Sequence, residues 1–199
     1  MIKYLLLDAD GVIINPPYMF STKLAKEYGI TLEMTSDFFT GIFVECIEGR
    51  ADLKEVLPPY LKEWGWSKTV EDFIDYWFQS EHDIDKELVK YVQEVRSKGI
   101  KCFVATNQEK HRAEYMLNEL GFTNSFDKVY ASSGLGYKKP DQMFFNKILS
   151  DLGKVNKKEI LFWDDTVKNV ESAKMFGINA EVYSNYKDFK NKMNKKYVL

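Results

Sequence analysis

Short apolar runs alternate with amphipathic stretches along most of this chain. Tyr4-Leu5-Leu6-Leu7 is the first run, cut off by Asp8 and Asp10. Lys101-Cys102-Phe103-Val104-Ala105, Lys128-Val129-Tyr130-Ala131, Ile160-Leu161-Phe162-Trp163 and Ala180-Glu181-Val182-Tyr183 follow. Each is short and carries β-branched or aromatic residues, the pattern of a strand covered on both faces. Between the runs, apolar residues recur at helical spacing. Leu88, Val92 and Val95 precede Gly99; Ala113, Met116, Leu117 and Leu120 precede Gly121. Phe144, Ile148 and Leu152 precede Gly153, and Val167, Val170 and Ala173 precede Gly177. A glycine just past an apolar stripe is a helix stop. Strand and helix in alternation predict an α/β protein with a parallel sheet flanked by helices.

From about Asn15 to Asp83 the rhythm changes, and no strand pattern occurs. Phe20, Leu24 and Tyr28 form one helical stripe; Phe38, Ile42, Phe43 and Cys46 form a second. Val70, Phe73, Ile74 and Trp77 form a third, with Thr69 as N-cap and Asp72 three residues on, the spacing of a capping box. Pro58 and Pro59 divide a shorter pair of helices around Leu53, Leu57, Leu61 and Trp64. This block predicts an all-helical insertion, a cap over 15–83, on a core made of 1–14 and 84–199. The segment Val12 to Pro17 would be the hinge, stiffened by Pro16 and Pro17.

Composition narrows the function classes. The 199 residues are 45% hydrophobic, enough for a real core. A formal net charge of -2 provides no broad field for nucleic acid or an anionic membrane. The N-terminal apolar run is too short for a secretory core, and no stretch reaches the roughly 18 apolar residues of a membrane helix. Cys46 and Cys102 sit far apart in apolar runs, as reduced core residues of a cytoplasmic protein would. Nothing suggests an obligate assembly, so a monomer or weak dimer is expected.

In an open parallel sheet, active groups gather outside the carboxyl ends of the strands. Four polar elements fall there: Asp8-Ala9-Asp10-Gly11-Val12, Thr106-Asn107, Lys138-Lys139-Pro140 and Asp164-Asp165. Any one alone reads as a turn, a strand end or a helix cap; their convergence argues for a site. Asp8 would attack phosphorus to form an acyl phosphate. Asp10 would protonate the departing oxygen and then deprotonate the hydrolytic water. A magnesium ion held by Asp8 and Asp165, with Lys139, would offset the repulsion between carboxylate and phosphate. Thr106 would hydrogen-bond a phosphate oxygen.

The four elements, in this order, resemble the motifs of the haloacid dehalogenase-like (HAD) hydrolases over nearly the whole chain. That resemblance implies a Rossmann-like core with a helical cap inserted after the first motif. It implies Lys139, directly before the proline, as the phosphate lysine in preference to Lys138. It implies Asp165 as the closer metal ligand with Asp164 in support, Asp10 ligating through its backbone carbonyl, and Asn107 on the phosphate, through backbone N–H or side chain. Dehalogenase relatives lack an aspartate at the position of Asp10, so Asp10 argues for phosphoryl transfer. The expected function is a magnesium-dependent phosphatase for a small phosphorylated metabolite. The alternatives are a sugar phosphomutase of the beta-phosphoglucomutase type and a non-catalytic binding protein on the same fold.

Other residues carry weaker signals. Arg50, and cap aromatics such as Phe20, Phe39 and Trp64, are candidate substrate selectors. Asn169 would orient Asp165 or Lys139, or lie on a helix surface. His82 and His111 read as isolated surface histidines and Gly134-Leu135-Gly136 as loop. The lysines at 187, 190, 192, 195 and 196 read as the solvated face of a final helix seated by Phe189 and Met193.

Overall fold

Alternate residues of each strand feed different cores. Leu5 and Leu7 join Val104 and Trp163 on one face of the sheet. Leu6 joins Phe103, Ala105 and Phe162 on the other, as the two-residue period of a strand requires. The computed structural model describes residues 1–197. Its sheet comprises β1 (Tyr4–Leu7), β2 (Lys101–Thr106), β3 (Lys128–Ala131), β4 (Ile160–Asp164) and β5 (Asn179–Val182). All neighbours pair in parallel, in the order β3-β2-β1-β4-β5. β2 and β4 each run one residue past the apolar pattern, so that Thr106 and Asp164 close their ladders. The chain fills the sheet outward from β1 in both directions. The crevice beyond β2, β1 and β4 is therefore a topological switch point, where such sheets bind ligands.

The first six of the helices that follow β1 are α1 (Phe20–Tyr28), α2 (Leu32–Thr40), α3 (Ile42–Ile47), α4 (Leu53–Val56), α5 (Pro58–Glu63) and α6 (Val70–Ser80). They form an inserted helical cap around a core of their own, which includes Phe20, Phe38, Trp64 and Phe73. Thr69 and Asp72 close the expected capping box, with both reciprocal bonds at 3.0 Å. The stripe from Phe38 to Cys46 is two helices rather than one. Gly41, at φ -104° and ψ -111°, leaves helical geometry between α2 and α3. The entering and leaving chains are zipped together: Asn15 N donates to Asp83 O at 2.9 Å, and Asp85 N to Ile13 O at 2.8 Å.

The remaining helices flank the sheet: α7 (Lys86–Ser97), α8 (Lys110–Asn118), α9 (Phe122–Ser125), α10 (Ser132–Leu135), α11 (Gln142–Leu152), α12 (Val167–Phe176) and α13 (Tyr186–Lys196). Helix α13 buries Phe189 and Met193 as its spacing predicts. Two expectations differ from the structure. Gly134 and Leu135 belong to the single turn of α10, not to a loop. Val167 is exposed, and α12 buries Asn169, Val170, Ser172 and Ala173 instead. Arg112 occupies a buried phase of α8 one turn before Met116. Both cysteines are free and buried. Among the described residues, no helix is long and apolar enough to cross a membrane.

Candidate active site

The switch-point crevice gathers the four polar elements. Asp8 leaves β1, and its Oδ1 accepts from Ala9 N at 2.7 Å. Gly11 then turns the chain at φ +76°, a conformation that L side chains rarely adopt. A Cβ there would lie 2.2 Å from Asp165 Oδ2. Glycine thus provides both the turn and the room that bring the first and fourth elements together.

Lys139 is the electrostatic hub. Its buried ammonium lies 2.8 Å from Asp8 Oδ1 and 2.6 Å from Asp164 Oδ2. The Asn107 side chain grips the Lys139 backbone from both sides, accepting from its N–H at 2.8 Å and donating to its carbonyl at 2.9 Å. That amide is committed to placing Lys139. Lys138 is not drawn into this network; the lysine directly before Pro140 is.

The two adjacent aspartates divide their tasks. Asp164 is fully buried and accepts from Lys139, from Thr166 N at 2.8 Å and from Asn169 Nδ2 at 3.1 Å on each oxygen. Asn169 therefore orients Asp164 directly, a role the spacing did not single out, and it is not on a helix surface. Asp165 is exposed in the crevice. Ligand oxygens of Asp8, Asp164 and Asp165 lie within 4.8 Å of one another. An oxygen-only donor set of this kind suits a hard cation such as magnesium.

Charge balance points the same way. Four carboxylates, of Asp8, Asp10, Asp164 and Asp165, surround one ammonium. Burial pushes Asp8 up to about 7, against the lowering pull of Lys139. Asp10 retains solvent access, yet protein crowds it on the crevice floor. Desolvation raises it to about 6, and the Arg112 charge partly opposes this. A site this rich in carboxylate needs an added cation before it can accept a phosphate dianion.

Several contacts were not legible in the sequence. Gln108, 8% exposed, donates through Nε2 to Asp10 Oδ2. Arg112, 2% exposed, reaches from the core to the end of α6, donating to Phe78 O at 3.0 Å and Glu81 O at 2.7 Å. His111 is not an isolated surface group, since its Nε2 meets Asp52 Oδ1 of the cap at 2.8 Å. The exposed His82 meets Tyr115 Oη at 2.6 Å. The available signals were a polar residue two past Thr106 and a charged residue in the apolar phase of α8.

The largest cavity described, about 830 Å³, is not the catalytic crevice. It opens between Gly49–Asp52, α8 and β3, and its lining includes Arg50 but none of the four aspartates. Arg50 is neutralised there by Glu45, at 2.5 and 2.9 Å, and by Glu48. A guanidinium already held by two carboxylates has little attraction left for a substrate anion. Phe20 and Trp64, two of the candidate selectors, are buried in the cap interior.

Residues 5–182 match the family model for haloacid dehalogenase-like hydrolases. The chain belongs to that family. It is 23% identical to the D-ribitol-5-phosphate phosphatase of Bacteroides thetaiotaomicron, over 97% of each protein. A shorter stretch, 49% of this chain, is 26% identical to drimenol cyclase drtB of Aspergillus calidoustus but spans only 18% of that protein. In three dimensions the chain resembles a HAD family enzyme of Bacteroides thetaiotaomicron, solved in complex with magnesium and inorganic phosphate. The TM-score is 0.78 at 21% identity, covering 95% of this chain and 99% of the other.

Proposed function

We propose that this chain, a phosphohydrolase of the HAD-like family, hydrolyses a small phosphorylated metabolite through an aspartyl-phosphate on Asp8, with magnesium as cofactor. The observation that carries the reading is the Lys139 ammonium shared by Asp8 and Asp164 at 2.8 and 2.6 Å. It fixes a nucleophilic carboxylate beside a cation at the switch point, where the other motif residues converge.

Lys139 holds Asp8 through Oδ1, and the second Asp8 oxygen attacks phosphorus. The Asp8–phosphorus bond forms as the ester P–O bond breaks, and the leaving oxygen takes a proton from Asp10. Asp10 then accepts a proton from the water that attacks the aspartyl-phosphate, releasing phosphate and restoring Asp8. Lys139, the Thr106 hydroxyl and the Asn107 backbone N–H hold the phosphoryl oxygens. Asp8 and Asp165, with the Asp10 carbonyl and Asp164 in support, would hold magnesium, which offsets the charge and polarises the phosphoryl group.

The catalytic core is 1–14 and 84–199, and the cap is 15–83. A cap of this size closes over a small molecule rather than a protein. The relative that acts on D-ribitol-5-phosphate makes polyol and sugar phosphates the first substrates to test. The free, buried cysteines fit a reducing compartment such as the cytoplasm. The expected state is a monomer or weak dimer.

The test is phosphate release from sugar phosphates, polyol phosphates, nucleotides and p-nitrophenyl phosphate, with and without magnesium, for wild type and Asp8→Asn. Magnesium-dependent release, reduced roughly 10³-fold or more in the variant, supports the mechanism. Release that survives in Asp8→Asn sinks it. Isomerised hexose phosphate in place of free phosphate would identify a mutase.

A further inference from the structure

We propose that Gln108 is a positioning residue for Asp10, and that it ties the orientation of this acid to the docking of the cap. The proposal rests on the phosphatase reading above and deepens it. Gln108 is the buried middle residue of the segment 107–109 that joins β2 to α8, and its Nε2 donates to Asp10 Oδ2. Its main chain is held at both ends. Gln108 N donates to Ser132 Oγ at 3.0 Å, and Gln108 O accepts from Ser133 N at 3.2 Å.

The same serine reaches the cap. Ser132 Oγ donates to the Ile47 carbonyl at 2.6 Å. Ile47 is the last residue of α3, where a helix leaves carbonyls without internal partners. Two residues on, Gly49 backs onto the Ser133 carbonyl so closely that a Cβ would sit 2.1 Å from its oxygen. Cap and core therefore meet backbone to backbone beside Gln108. A continuous path runs from the Ile47 carbonyl through Ser132 and Gln108 to Asp10. If α3 lifts away, the Ser132 hydroxyl loses the Ile47 carbonyl and is left the Gln108 carbonyl, 3.3 Å away, as acceptor, which reorients the serine that holds the Gln108 main chain.

An aspartate side chain has two free torsions, so an undirected Asp10 would sample several orientations. One donor on Oδ2 selects among them and leaves Oδ1 to carry the proton to the departing ester oxygen. That proton matters unequally. An alkoxide leaves poorly without it, whereas p-nitrophenolate leaves readily.

The experiment compares kcat/KM for an alkyl phosphate and for p-nitrophenyl phosphate in wild type, Gln108→Leu and Ser132→Ala. Gln108→Leu keeps the volume and removes the donor. It is expected to lose about tenfold or more on the alkyl ester, part of the ~10²–10⁴-fold a positioned acid contributes, and under about threefold on the nitrophenyl ester. Ser132→Ala should show the same split, smaller in size. Equal losses on both esters, or no loss on either, overturn the proposal. Crystal structures of wild type and Gln108→Leu provide a readout that needs no turnover. A rotated Asp10 carboxylate in the variant supports positioning, and an unmoved one overturns it. If wild type hydrolyses no ester, the phosphatase reading falls, and the two crystal structures still decide the role of Gln108.

Discussion

Asp8 shows how one residue's surroundings set its chemistry. Burial raises it to about 7, and Lys139 only partly offsets this. A carboxylate must lose its proton before it can ligate a metal. Magnesium affinity is therefore expected to fall about tenfold per pH unit below about 7 and to level off above it, as one displaced proton requires. Calorimetric titration between about pH 5.5 and 8.5 checks this; a flat profile would refute it. The contribution of Asp8 to metal-free stability is full below its unfolded value, near 3.9, and is lost as pH rises through about 7. Added magnesium should restore it. The carboxylates and Lys139 were all legible as residues, because strand ends place such groups on one edge. Their hydrogen bonds were not: Asn107 turned toward the Lys139 backbone, and Asn169 toward Asp164.

Turns and strand junctions govern the next scale. The Gly11 turn leaves no space beside Asp165. Gly11→Ala should displace that carboxylate and strain the backbone by about 1–2 kcal/mol. Magnesium binding weakened by about tenfold, with a modest fall in Tm, is the expected outcome. Unchanged affinity would show that Asp165 is not held by this turn. At the β2–β3 junction, partial burial raises the half-buried Asp127, yet Cys102 N–H, Lys101 and Arg96 together hold it below the usual carboxylate range. A depressed carboxyl contributes stability above its unfolded value, near 3.9, and loses it as pH falls through the folded value. Urea unfolding of Asp127→Asn should show a deficit of about 1–2 kcal/mol at neutral pH that closes below about pH 4. Periodicity located these strands because burial on both faces enforces continuous apolar runs. It missed the break at Gly41, where the apolar spacing continues while the backbone turns.

Across the whole molecule, polar contacts on α8 and α10 join cap and core beside the Phe78–Tyr115 ring contact. Arg112 donates to the Phe78 and Glu81 carbonyls, Asp52 pairs with His111, and Ser132 bonds to Ile47 O. Arg112→Met keeps an apolar stem but strands two acceptors, a cost of about 2–4 kcal/mol. A lower urea midpoint and faster proteolysis between cap and core are expected; unchanged values of both would show that Arg112 does not hold the cap.

The alternation of strand and helix, the helical insertion and the edge on which Asp8, Asp10, Thr106, Lys139, Asp164 and Asp165 gather are written in the order of residues along the chain. Local burial and chain order dictate those features. That Gln108 faces Asp10, that Arg112 belongs to the cap contact and that Glu45 and Glu48 neutralise Arg50 follows from the folded arrangement alone. Polar side chains choose partners by distance in space, and the joining of cap and core sets those distances.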